Sequence, residues 1–418
     1  MQIIADLHIH SHYSRATSKQ LNVAGIAKYA AIKGVDVIAT GDITHAKWLE
    51  EIEVDLEEDG SGFLRVKDGS SDVKFALFTE IANMYKKNDK GRRLHTVIGV
   101  SSLAAAKKAN AELEKRGYNL KSDGRPIIGG DVRELMKIYL DADPKALIIP
   151  AHIWTPWFSV FGSKSGFDSL EECYEEMTEH IYAIETGLSS DPAMNWRVSD
   201  LNNRTIVSNS DAHSPDKIGR EANVFEWDNV TYDALYESLK KNENMKYTIE
   251  FYPEEGKYHL DGHRACEVRL EPAETKKNKG KCPKCGLSLV VGTLNRVEEL
   301  ADQTEENTKN KKVPFKSIVP LPEIIASAFG CGVRTKKVDA EYMKLIEAVG
   351  NEFYILLDAE LSQIQKHADP LVAEGIKRVR DGNVHISPGY DGEFGVIDVF
   401  TEAERKQRMP QQNKLFIG

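Results

Sequence analysis

With 418 residues, 41% of them hydrophobic and 29% charged, the chain is large enough for two or three domains and has the balance of a globular protein. No apolar run approaches the roughly 20 residues that span a bilayer, five cysteines are too few for a disulfide framework at this length, and an opening directly in a strand, without a basic segment and apolar core, sets a cytoplasmic location as the expectation. The net charge of −10 speaks against nucleic acid only for the chain as a whole, because carboxylates that hold metal ions use much of that charge locally.

The first residues, Ile3-Ile4-Ala5-Asp6-Leu7-His8-Ile9-His10-Ser11-His12, read as a short buried strand ending in three alternate histidines, which should point to one side. Imidazoles beside a carboxylate, Asp6, suit zinc or a similar divalent metal. A helix is expected over Val23–Lys33, ended by Gly34, and further strands at Val35–Ala39, Lys74–Thr79, His95–Val100, Ala146–Pro150, His180–Glu185 and Thr205–Ser208. Strands alternating with helices imply mostly parallel pairing, and in such barrels chemistry gathers at the carboxyl ends of the strands. Those ends carry His8 and His10, Asp42 and His45, Glu80, His152, Glu185, and Asp211 with His213, while His95 opens its apolar run instead of closing it. Ligand-type residues at successive strand ends point to a metal centre. The loop Ile153-Trp154-Thr155-Pro156-Trp157-Phe158 either stacks on a base or wedges into a duplex, or else packs on the barrel rim. The segment Glu185–Asp191 suits a phosphate or is a plain turn.

Residues 226–260 read as a connection. His263-Arg264-Ala265-Cys266 followed by Cys282-Pro283-Lys284-Cys285 has the spacing of a closed, four-coordinate structural zinc, with His259 as rival to His263. Around these ligands the chain is basic (Arg264, Lys276, Lys277, Lys279, Lys281, Lys284, Arg296), and a second cluster follows at Lys309, Lys311, Lys312 and Lys316. Such a ribbon reads as a nucleic-acid contact or as a solvated lysine-rich loop. Residues 299–400 are helix-rich, with a Gly-broken basic turn at Arg334, Lys336 and Lys337 and a Gly-rich ordered loop around Tyr390. The expected division is 1–225 catalytic barrel, 226–260 connection, 261–298 zinc ribbon, 299–400 helical module and 401–418 flexible tail.

The set Asp6-Leu-His8-Ile-His10, Thr40-Gly-Asp42-Ile-Thr-His45, Phe78-Thr-Glu80-Ile, His95, Pro150-Ala-His152 and Ser210-Asp211-Ala-His213 resembles the polymerase-and-histidinol-phosphatase (PHP) domain family. The resemblance implies an α/β fold, a distorted (β/α)7 barrel holding up to three metals. Carried over, His8, His10, Glu80 and Asp211 would hold one metal. Glu80, His95 and His152 would hold a second with Glu80 bridging, and His45 and His213 a third. Two departures touch the third site: Ile43 and Thr44 separate Asp42 from His45, and Ser14-Arg15-Ala16 stands where the family places a ligand, with His12 as a substitute.

The combined order of metal barrel, basic ribbon and helical module ending in SPGYDGEFGVI resembles the endonuclease Q family over nearly the whole chain. It does so most in GDITHAKWLEEI, ETGLSSDPAMNWR, SNSDAHSPDKIGREAN and GKCPKCG. That resemblance implies a DNA repair endonuclease cutting 5′ to hypoxanthine, uracil, xanthine or an abasic site. The chemistry expected from the residues is metal-assisted hydrolysis, with Glu80, Asp211, His45 and His213 as candidate catalytic residues and zinc, or magnesium or manganese, in the barrel. DNA contacts are expected at Trp154, Trp157, Lys276, Lys277, Lys281, Lys284, Arg334, Lys336, Lys337 and Tyr390. The alternatives are a small-molecule phosphatase of the histidinol-phosphate type and a non-catalytic DNA-binding adaptor. In the tail, Gln412, Leu415 and Phe416 resemble the peptide that binds the PCNA sliding clamp.

Overall fold

The computed structural model describes residues 1–304 and 313–408. Lys309, Lys311 and Lys312 and the tail residues Gln412, Leu415 and Phe416 lie outside the described residues. In chain order the strands of the first half are β1 (Gln2–Asp6), β2 (Val37–Ala39), β3 (Leu56–Glu58), β4 (Leu64–Val66), β5 (Lys74–Lys87), β6 (Lys90–Val100), β7 (Ile127–Ile128) and β8 (Leu147–Pro150). The second half adds β9 (Ala183–Glu185), β10 (Thr205–Val207), β11 (Ala222–Glu226), β12 (Met245–Glu250), β13 (Asp261–His263), β14 (Val268–Leu270), β15 (Phe315–Ser317), β16 (His385–Ser387) and β17 (Val396–Asp398).

The main sheet runs β15-β12-β11-β1-β2-β5 and continues from β5 through β6 to β8. Its centre, β1-β2-β5, is parallel, with Ala5 opposite Val37 and Val37 opposite Lys74. The expected parallel order fails at β5 and β6. These two form one long antiparallel hairpin closed by Asn88 and Asp89, both at positive φ (52° and 60°), which is the backbone a two-residue hairpin turn needs. This reversal is why His95 opens its apolar run: β6 starts beside the end of β5 and runs back toward its start, bringing His95 opposite Ala82, near Glu80, midway along its strand. Strand pairing stops after β8, and β9 and β10 form a separate parallel pair. Side chains tie the gap. Asn223 Nδ2 donates to the carbonyls of Ala5 (3.3 Å) and Ser208 (2.8 Å), and the Leu7 amide donates to Asn209 Oδ1 (2.9 Å). The wall is thus a mixed α/β structure whose ladder does not close on itself.

One hydrophobic core joins this wall to the helices Leu321–Phe329, Lys336–Ala348 and Pro370–Arg380. Their junction is fixed at Glu352, which pairs with the buried Lys33 (2.6 Å) and accepts from Tyr342 (2.7 Å) and from the Leu321 amide (3.0 Å). The β13–β14 ribbon has only a small apolar cluster, Val268, Cys282 and Leu289, too little to order it without a cross-link or a metal. No helix of the described residues is long and apolar enough to cross a membrane.

Candidate metal centre

β1 ends at Asp6, so His8 and His10 leave the strand and continue along its line, held by a bridge from Ile9 to Ala212. Their Nε2 atoms converge with two carboxylates from other elements. His10 Nε2 lies 3.1 Å from Asp211 Oδ1 and 3.3 Å from Glu80 Oε2, and His8 Nε2 lies 3.6 Å from Glu80 Oε2. The other oxygen of Glu80, Oε1, faces His95 Nδ1 (2.6 Å) and His152 Nε2 (3.2 Å). Two groups therefore form, His8-His10-Glu80-Asp211 and Glu80-His95-His152, with Glu80 shared between them through different oxygens.

Carboxylates behind the imidazoles aim them. Glu185 accepts from His8 Nδ1 (3.0 Å) and from the His152 amide (2.8 Å). Asp42 faces His10 Nδ1 at 3.2 Å and accepts from the Ser11 amide (2.7 Å) and the Ser14 hydroxyl (2.9 Å). Each arrangement places the proton on Nδ1 and turns Nε2 toward the cluster, the support that metal-binding histidines use. His8 Nε2 is buried and has no hydrogen-bond partner. An orphaned ring nitrogen facing two carboxylates is what a metal ligand leaves, so the donor set fits a divalent cation. Asp42, His152 and Asp211 all stand at positive φ (50°, 29° and 47°), backbone strain gathered at one site. Gly187 lets this happen, because a Cβ there would collide with His152.

The charges fit the same reading. Burial works against ionisation of Glu80, yet the imidazoles facing it, His95 and His8 foremost, hold its carboxyl well below the usual range. Burial pushes His95 down to about 4, which keeps it neutral and able to coordinate. Asp6 plays a different part from the one its position suggests. It accepts from the amides of Ser210 and Gly219 (3.0 Å each), tying the Asp211 loop to β1, and burial pushes it up to about 6.

The three alternate histidines do not all point one way. The chain turns at Ser11, and His12 Nδ1 faces the Leu21 carbonyl (3.2 Å) with its ring against Tyr13. His45 stacks on Tyr13 (4.3 Å between ring centres), whereas His213 lies over His10 (4.5 Å). These two are not brought together in a group of three ligands among the described residues. Two arginines escaped the sequence reading because neither ends a strand. Arg125 reaches Glu80 Oε2 (3.0 Å), and Arg220 donates to the Ser210 carbonyl (2.8 Å) behind Asp211.

At the ribbon, His263, Cys266, Cys282 and Cys285 converge, with Cys285 Sγ 3.6 Å from His263 Nδ1. His259 is the rejected rival: it is buried elsewhere and its ring faces the cavity described below. The Cys282 thiol is held below its usual range despite burial, because the Cys285 and Lys284 amides point at its sulfur. Lys276, Lys277, Lys281, Lys284, Arg334, Lys336 and Lys337 are all exposed. Arg296 is not; it is buried and clamps the carbonyls of Phe161 and Phe167 (3.1 Å each). Trp154 also corrects an expectation. It is 0% exposed and donates to Asn195 Oδ1 (2.7 Å), so it holds the loop and offers no face to a base, whereas Trp157 is 50% exposed. Tyr390 packs on Gly262 of the ribbon. Beside the metal centre opens a cavity of about 430 Å³, bounded by Thr155, Trp157, Lys217, Arg220, His259 and Phe394. Thr155 Oγ1 lies 3.0 Å from His152 Nδ1, so the cavity and the centre share a wall.

Comparison with known proteins bears on this arrangement. Residues 194–244 match the family described as PHP-associated, and residues 320–383 the MJ0043 C-terminal domain family. The crystal structure of the lesion-specific endonuclease PfuEndoQ from Pyrococcus furiosus superposes with a TM-score of 0.85 at 29% identity, covering 100% of both chains. A structure of Endonuclease Q with a 27-mer duplex substrate carrying an abasic lesion at the active site gives 0.83 at 31% identity, covering 97% of this chain and 98% of that one. The uncharacterized protein MJ0043 of Methanocaldococcus jannaschii is 36% identical over 252 residues, 58% of this chain, and this chain spans 31% of its length.

Proposed function

We propose, from the premise that this chain belongs to the endonuclease Q family and acts on DNA as a metal-dependent endonuclease, that it repairs DNA by hydrolysing the phosphodiester on the 5′ side of a damaged nucleotide. The lesions are the deaminated bases hypoxanthine, uracil and xanthine, and abasic sites. The observation that carries the reading is Glu80 shared between two ligand groups beside a cavity of about 430 Å³, a size suited to a small organic group. The wall around the centre is read as a distorted (β/α)7 barrel of residues 1–225, which also takes in β12 from the connection 226–260 and β15 from the helical module 299–400, with the ribbon at 261–298 and the tail at 401–418.

His8, His10, Glu80 and Asp211 would hold one metal and Glu80, His95 and His152 a second, with zinc, or magnesium or manganese, as the ion; zinc is also assigned to the ribbon tetrad. Metals bound there would lower the pKa of water toward neutral and offset charge on the phosphate. The chain's own residues do the rest. Arg125, partly exposed beside Glu80, binds a non-bridging phosphate oxygen, and Arg220 fixes the loop that presents Asp211. His213, partly exposed at the edge of the cluster and held below the usual imidazole range by burial, offers an unprotonated ring nitrogen to water there. Asp42 and Glu185 hold protons on the Nδ1 atoms of His10 and His8. Trp157 and the exposed lysines of the ribbon bind DNA, together with Arg334, Lys336 and Lys337. The tail residues Gln412, Leu415 and Phe416 bind the PCNA clamp, which titration of the clamp with the full chain and with a chain cut after Arg408 tests. A cytoplasmic location goes with this role.

The test is incubation with duplexes that differ only by one uracil, hypoxanthine, xanthine or abasic site, with the cut mapped. A cut one bond 5′ to each lesion and none in undamaged duplex is expected. Phosphate release from small phosphomonoesters with intact DNA would refute the reading.

A further inference from the structure

The cavity beside the metal centre opens between two aromatic side chains. Trp157 stands on the loop that carries His152, with the Arg93 guanidinium 5.5 Å from its ring centre. Phe394, at 74%, is the most exposed large apolar side chain of the described residues. Its loop cannot fold it away. The amides of Gly389 and Gly395 donate to the carbonyls of Glu254 (2.8 Å) and Glu255 (3.0 Å), and that of Gly392 to Lys257 (2.8 Å). A Cβ on Gly395 would collide with the Glu254 carbonyl, so two backbones lie in direct contact beneath the phenyl ring. One cation faces its ring and two others lie against its loop and hairpin. Lys257 Nζ is 5.5 Å from the ring centre, Arg264 lies against Gly392, and Arg269 Nη1 donates to Ser387 Oγ (3.0 Å) on the same hairpin.

An exposed phenyl costs solvation, and here it stands on a loop anchored by backbone hydrogen bonds, with a lysine over its ring, in the wall of a cavity that adjoins the metal ligands. That combination suits an apolar side chain entering a base stack while its basic neighbours take the phosphates. We propose that Phe394 is the wedge that fills the gap left in the duplex when the damaged nucleotide swings into the cavity. The inference rests on the endonuclease reading above and adds to it a residue that pays part of the cost of unstacking. Trp157 is less suited to the role, because at 50% it is the less exposed of the two rings.

The experiment uses the full chain with divalent metal and a duplex carrying one abasic site with 2-aminopurine flanking it, beside the same lesion inside an unpaired bubble. Wild type should raise the 2-aminopurine fluorescence on binding and Phe394→Ala should not. Phe394→Ala should lose about 10- to 100-fold in duplex cleavage, the equivalent of one base–aromatic contact. Its loss on the bubble should be only about threefold or less, because those bases are already unstacked. Phe394→Leu, still apolar, should recover most of the duplex rate. Equal losses on duplex and bubble, or an undiminished fluorescence rise in Phe394→Ala, would overturn the wedge. Failure of the wild type to cut either substrate would instead overturn the endonuclease reading.

Discussion

Glu185→Gln tests whether the carboxylate behind His8 and His152 shapes the metal centre. Glu185 receives donors on both oxygens: His8 Nδ1 at 3.0 and 3.1 Å, the His152 amide on Oε2 at 2.8 Å, and Asn209 Nδ2 on Oε1 at 2.8 Å. Glutamine keeps the shape but has one oxygen. If its NH₂ takes the Oε2 position it meets the His152 amide, and if it takes the Oε1 position it meets the Asn209 amide, so either orientation sets donor against donor in a fully buried place. One unsatisfied buried donor costs roughly 1–3 kcal/mol. Loss of a carboxylate partner behind a metal-binding histidine weakens metal binding by about 10–100-fold. The expected result is a right-shifted metal titration by calorimetry, with cleavage recovered at high metal concentration and only a modest fall in melting temperature. Unchanged metal affinity in a folded variant would refute the idea that Glu185 aims His8.

Glu80→Ala should abolish cleavage and lower bound metal by elemental analysis while DNA binding, measured by anisotropy, persists, since both ligand groups lose their shared member. Cys282→Ala should release one metal equivalent and unravel the ribbon, seen as faster proteolysis between residues 261 and 298, because the apolar cluster there is too small to hold it. Burial pushes the Glu250 carboxyl up to about 8, above its ordinary value near 4.5, so the folded chain holds that proton where the unfolded chain does not. Stability should therefore fall as pH rises from about 4.5 through about 8, and Glu250→Gln should flatten that fall in melting temperature.

Much of the centre was legible because its ligands sit where apolar runs stop, and a strand end is a directional cue. What strand ends do not tell is which carboxylate touches metal and which stands behind an imidazole. Asp42 and Glu185 looked like further ligands, and in the structure each faces the Nδ1 atom of an imidazole instead, a choice that depends on which ring nitrogen is turned toward them. The β5–β6 hairpin was missed because its tip, Asn88-Asp89, lacks the glycine that usually marks such turns. Trp154 and Trp157 could not be told apart, because loop residues have no period that separates inward from outward. At the ribbon, spacing pointed to Cys266, Cys282 and Cys285 but left His263 and His259 as rivals, and it is the fold that brings His263 to the three sulfurs.

The loop that carries Phe394 also imposes an order on biosynthesis. It grips a segment made long before it: the Leu260 amide bonds to the Gly389 carbonyl, and the Arg264 amide bonds to Asp391, 127 residues further along. Until a ribosome has passed residue 395, the ribbon has its own cluster and its His/Cys tetrad but no floor beneath it. The carboxylate–imidazole cluster, built wholly from residues before 214, can assemble earlier. A nascent chain would thus hold that cluster before the cavity beside it is complete. Because the Phe394 loop lines the cavity, a product ending before it would keep the carboxylate–imidazole cluster and lose one wall of the cavity.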